Sequence, residues 1–266
     1  MNLQELAISV LTAISTDDKV LAAHNMASQW HDEHMNISIS SALNVPCTPG
    51  RPAKPELVAP TDVKRRRLGS LAGRQSLLHA IAHIEFNAID LAADMLARYG
   101  DSPRISDHCR KDFIADWVKV CDDEARHFTM IASRLDELGS YYGALPAHNG
   151  LWEAASSTSN DLAARLVIAP MVLEARGLDV TPGMIKKLVS VGDQTSADIL
   201  GIIYDEEIPH VATGTRWFLH ICKRENLNPE HTFKSLLQTH YKGTLKPPFN
   251  HEARTLAGMP NEFYQL

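Results

Sequence analysis

The chain has 266 residues, 44% of them hydrophobic and 22% charged, and its 26 Lys+Arg against 32 Asp+Glu give a formal net charge of −6 at pH 7. That balance excludes the basic footprint of a nonspecific nucleic-acid binder, and the composition excludes disordered and fibrous classes. No apolar run approaches the roughly 20 residues needed to cross a bilayer, and the first residues, MNLQELAISVLTAISTDD, carry no basic region before their apolar stretch, so the expectation is a soluble cytoplasmic protein without membrane or nucleic-acid partners.

Residues 1–42 read as an N-terminal helical segment. Leu3, Leu6, Ala7, Val10, Leu11 and Ile14 recur at helical spacing, and Thr16-Asp17-Asp18 opens a second helix, predicting a hairpin over about 2–31. Over 43–63 the prolines Pro46, Pro49, Pro52, Pro55 and Pro60 interrupt regular structure, because each lacks an N–H and turns its predecessor away from helix. This predicts an extended strap. Long helical patterns follow near 74–98, 110–138, 159–176 and 195–224, with shorter ones at 182–191 and 229–240. The expected fold is all-α: a four-helix bundle over 64–225 with a C-terminal helical extension over 226–266, together one globular unit.

The acids stand on the wrong face. Glu85 falls inside an apolar stripe with Ile81, Ala82, Ala88 and Ile89, where a carboxylate is costly unless something compensates its burial. Glu124 and His127 stand three apart among Val120, Cys121, Phe128 and Ile131, so they project from one face. Glu174 sits beside Met171, Leu173 and Leu178, and Glu207 and His210 repeat the three-residue spacing among Ile203, Val211 and Phe218. Four converging carboxylates would repel one another and take up protons unless cations are present. Two divalent metal ions balance that charge, and two imidazoles add neutral ligands. Carboxylate-rich coordination with one His per ion suits iron first and manganese second, and one Glu from each of two helices with Glu-x-x-His from each of the others is the di-iron carboxylate pattern.

The order Glu85, Glu124-Ala125-Arg126-His127, Glu174, Glu207-Ile208-Pro209-His210 resembles the ferritin-like di-iron superfamily. The stretches HIEFNAIDLA (83–92), DDEARHF (122–128), LPAHNGLWE (145–153), LEARGLDVTP (173–182) and DEEIPHVATGTRWF (205–218) resemble, more closely, an uncharacterised bacterial ferritin-like branch, domain of unknown function 455, over most of the chain from about Gly50. The resemblance implies a ferritin-like bundle and a metal site, and assigns no reaction.

Pro209 cannot donate to the carbonyl of Asp205, so the fourth helix is expected to kink or rewind there, and Pro170 acts alike in the third. Glu206 becomes a candidate in place of Glu207 if the kink rotates the helix. Asp90, Asp123 and Asp205 are candidates to hold the outer N–H of a ligand histidine. Arg126 and Arg176 are candidates to pair with the inner acids, and Tyr204 to place a phenol near the metals. His83 lies two residues, roughly 200°, from Glu85, so His79 and His83 read as packing or surface. Lys64-Arg65-Arg66-Arg67 reads as a solvated patch rather than a phosphate grip.

Three functions fit: an O2-activating oxidoreductase or hydroxylase acting on a small molecule, with O2 or peroxide as co-substrate; iron oxidation and storage or peroxide detoxification; and a metal-binding scaffold. The hairpin, the strap and the residues after 224 are more than a storage-cage subunit needs, which favours the oxidoreductase as a monomer or homodimer. Cys47, Cys109, Cys121 and Cys222 form no C-x-x-C pair for an internal electron relay, so electrons come from the substrate or a donor protein.

Overall fold

A computed structural model describes residues 2–31, 43–63 and 67–265. Among them the chain is all-α, with no strand and one isolated parallel bridge, Leu57 to Ala147. No described helix is long and apolar enough to cross a membrane. The chain divides into two compact units, Met1–Ser102 with Ser106–Trp152, and Pro103–Ile105 with Glu153–Leu266.

The first unit holds α1 (Leu3–Thr12), α2 (Thr16–His31), α3 (Leu71–Tyr99) and α4 (Asp107–Glu137). Asn2 and Glu5 form a reciprocal capping box that satisfies the first amides of α1. The expected hairpin is present: α1 packs on α2 and α3, and α2 on α4. α3 and α4 pack along each other, burying Leu78, Ala82, Ile89 and Leu96 of α3 against Val120, Cys121 and Ile131 of α4. Each such side chain removed from water contributes about 1.5–3 kcal/mol for the larger aliphatics.

The proline-rich strap is tied at two places. Gly50 donates its amide to the Leu11 carbonyl at 2.7 Å, and a Cβ there would stand 2.4 Å from the Thr12 carbonyl oxygen, so glycine permits the approach. Further on, Val58 donates to Ala147 and Ala147 to Glu56, joining the strap to the loop before α5 (Gly150–Ser156).

The second unit holds α6 (Leu162–Ile168), α7 (Ala175–Ser190), α8 (Gln194–Arg224), α9 (Pro229–His240) and α10 (His251–Leu256). Asp161 and Asp193 cap α6 and α8. The break expected between 176 and 182 is absent. α6 passes through a π-helical segment, Ala169–Glu174, directly into α7, which runs through Pro182. Pro182 has no N–H for the Leu178 carbonyl, and the Asn250 side chain donates to that oxygen instead, at 3.1 Å. The rewinding foreseen around a proline occurs at Pro170, inside the π segment, whereas α8 stays α-helical through Pro209. Gly214 of α8 faces Pro170: a Cβ at 214 would lie 2.4 Å from the proline ring.

Candidate metal centre

In the first unit three of the expected ligands come together. The buried α3 stripe carries Glu85 inward, 4% exposed, and the three-residue spacing on α4 presents Glu124 and His127 side by side, 1% and 0% exposed. His127 Nδ1 lies 3.4 Å from Glu85 Oε2 and 3.5 Å from Glu124 Oε2. The ligand atoms of this Glu/His cluster lie within 4.8 Å of one another, a set able to hold a metal ion. Its electrostatics ask for positive charge: burial disfavours a charged imidazole, but hydrogen bonding first to Glu124 and then to Glu85 outweighs it and raises His127 to about 11. A divalent cation answers the same demand with donor types it prefers, carboxylate oxygen and imidazole nitrogen.

In the second unit His210 Nδ1 lies 3.7 Å from Glu207 Oε1, the two side chains 2% and 13% exposed. Glu174 is half-buried and closes the π segment. That segment adds a residue to one turn and rotates the residues beyond it by about 100° relative to unbroken α-helix. The expected ligands therefore divide evenly: each unit supplies one single Glu and one Glu-x-x-His.

The supporting residues separate by unit too. Asp123 binds Lys119 at 2.6 Å and Arg126 at 3.0 Å. Asp205 is exposed and has no hydrogen-bond partner among the described residues. Tyr204 accepts a hydrogen bond from Asn250 at 2.9 Å, and Arg176 donates to the carbonyls of Lys246 and Pro248 and to Asp179. Asp179 in turn receives a two-point ion pair from buried Arg254, at 2.9 and 2.8 Å. Of the basic run, Lys64, Arg65 and Arg66 lie outside the described residues.

His79 and His83 pack, as their angle to Glu85 implied. His83 Nε2 donates to the His148 carbonyl at 3.0 Å, which leaves Nδ1 to accept from the Tyr142 hydroxyl at 2.9 Å. His79 Nε2 accepts the amides of Gly143 and Leu145, at 3.0 and 3.4 Å, and both rings stack on Tyr142. Burial lowers each imidazole to about 4, so both are neutral at pH 7. They anchor the 142–148 loop to α3.

Asp90, a candidate to hold a ligand histidine, pairs instead with cations of α2 and the strap, partners that sequence reasoning missed. Asp90 is fully buried and meets Lys19 of α2 at 2.5 Å and Arg51 of the strap at 3.6 Å. Burial outweighs the pull of these two cations and raises the Asp90 carboxyl to about 6. The signal available was Lys19 itself, which falls between Ser15 and Ala23 on the packing side of an amphipathic helix.

Comparison with known proteins gives a family and no activity. A family described as "Protein of unknown function (DUF455)" matches residues 12–265. An "Uncharacterized protein" of Haemophilus influenzae is 40% identical over 207 residues, covering 78% of this chain and 72% of the relative. No solved structure matches the chain.

Proposed function

We propose that this chain, which belongs to the DUF455 family of proteins of unknown function, is a ferritin-like dinuclear metal protein that oxidises a small organic molecule with O2 or peroxide. In this reading α3 and α4 of the first unit and the α6–α7 run and α8 of the second combine as one ferritin-like bundle. Glu85, Glu124, His127, Glu174, Glu207 and His210 then hold two ions, iron first and manganese second. The observation that carries the reading is the buried Glu85–Glu124–His127 cluster, an arrangement whose burial is costly without a cation.

Bound iron or manganese would supply one-electron chemistry toward O2 or peroxide. The chain's residues supply the rest. The carboxylates fix the ions and balance their charge, and the apolar side chains around Glu85 and Glu124 keep bulk water from the site. Electrons reach the site from the substrate or a donor protein, because the four free cysteines include no spaced pair.

Metal analysis tests the proposal. The wild type, loaded anaerobically with Fe(II), is expected to hold about two ions per chain. Glu124→Ala and Glu207→Ala, purified alike, are expected to lose them. A wild type that takes up no iron or manganese would overturn the reading, and loading of many ions into a large assembly on a sizing column would replace it with storage.

A further inference from the structure

In the first unit a groove of about 490 Å³ opens between α2 and the C-terminal half of α4. Its size falls within the range of small-molecule sites. Phe128 and Tyr142 form its aromatic floor, their rings perpendicular with centroids 5.1 Å apart, and Leu21 and Tyr141 stand on its walls. Tyr141 is 61% exposed and touches no other ring among the described residues. Among the described residues the charge of the lining has one sign. Asp17 and Asp136 belong to it, no Lys or Arg does, and neither carboxylate makes an ion pair among the described residues. The lining imidazole, His24, is bound to Asp122 at 2.6 Å, outside the groove.

Aromatic faces and carboxylates together complement one class of ligand, an organic cation, because the ring faces carry negative potential and the carboxylates full charge. The molecule uses this chemistry one layer below: Lys19 Nζ stands 5.4 Å from the centroid of Phe86, whose ring packs on both Phe128 and Tyr142. We propose that the groove binds a small organic ammonium ion, its apolar body on Phe128 and Tyr142 and its nitrogen between Tyr141 and the carboxylates of Asp17 and Asp136. None of the residues proposed as metal ligands lines the groove, so this site and the metal centre stand or fall separately.

Titration calorimetry on the full chain tests it, with choline and butylammonium as probes and their uncharged counterparts, 3,3-dimethyl-1-butanol and 1-butanol, as controls. Saturable binding of at least one ammonium ion is expected, about tenfold tighter than its neutral counterpart and weaker by about fivefold or more in Asp136→Asn and in Tyr141→Ala. Both substitutions lie at exposed positions, and an unchanged thermal melt confirms folding. No saturable binding of either ammonium ion at millimolar concentration, equal affinity for charged and neutral members of a pair, or full affinity in both variants would overturn the proposal.

Discussion

Lys19 Nζ stands 2.5 Å from Asp90 Oδ1, and neither side chain has any exposure to solvent. The ammonium also donates to the Val10 carbonyl at 2.9 Å, so a single buried cation binds the end of α1 and the middle of α3 from its place on α2. A buried pair of this kind contributes little relative to a well-packed apolar pair, yet breaking it strands a charge. Lys19→Met is therefore expected to cost about 3–5 kcal/mol in urea unfolding, and Lys19→Met combined with Asp90→Leu to recover most of that loss. Equal losses in the single and double variants would show that the pair acts only through packing.

Glu206 and Glu207 are neighbours on α8, both half-buried. Glu207 reaches to 3.7 Å from His210 with its side chain 13% exposed. Metal analysis of Glu206→Ala is expected to return about two ions per chain and that of Glu207→Ala far fewer. The reverse result would move the ligand by one position and rotate the ligand face of α8.

The buried imidazole of His79 gives a pH signature. Its value of about 4 in the folded protein lies below the ordinary 6.5, the cause being burial. The unfolded chain thus binds the extra proton first, and the stability this group contributes is complete above about pH 6.5 and is lost as pH falls toward 4. Protonation also removes the acceptor for the Gly143 and Leu145 amides. Protection of these two loop amides against exchange is expected to fall over that window relative to the amides of α3, and a His79→Phe variant to show no such window.

Two glycines of α8 predict opposite outcomes for one substitution. A Cβ at Gly214 meets the Pro170 ring at 2.4 Å, whereas a Cβ at Gly201 meets nothing within 4 Å. Gly201→Ala is expected to stabilise by about 0.5–1 kcal/mol through helix propensity. Gly214→Ala is expected to destabilise by about 1–2 kcal/mol, overpacking outweighing the same gain. Denaturant midpoints at constant slope distinguish the two.

Much of this architecture is local and therefore readable in the residues. Period-3.6 stripes locate α3, α4 and α8 within a few positions, and carboxylates inside those stripes single out Glu85, Glu124 and Glu207, because helical spacing is a property of adjacent residues. Partners far apart in sequence are a different matter. Pro182 reads as the start of a separate short helix after a break, and its tolerance inside α7 depends on Asn250, some seventy residues later. Asp90 reads as a candidate to hold a ligand histidine, because nothing within its own helix reveals that Lys19 of α2 and Arg51 of the strap meet it instead. The π segment is legible only as a warning at Pro170, since its register depends on Gly214 of another helix.

The Asn250 amide reaches the Leu178 carbonyl from 72 positions downstream and joins Arg254 in gripping Asp179. During synthesis the middle of α7 therefore emerges with an open rung in its hydrogen-bond ladder and with Asp179 paired to Arg176 alone. Both wait until the residues around 250 have left the ribosome. A chain arrested before that point lacks the contacts that close the middle of α7.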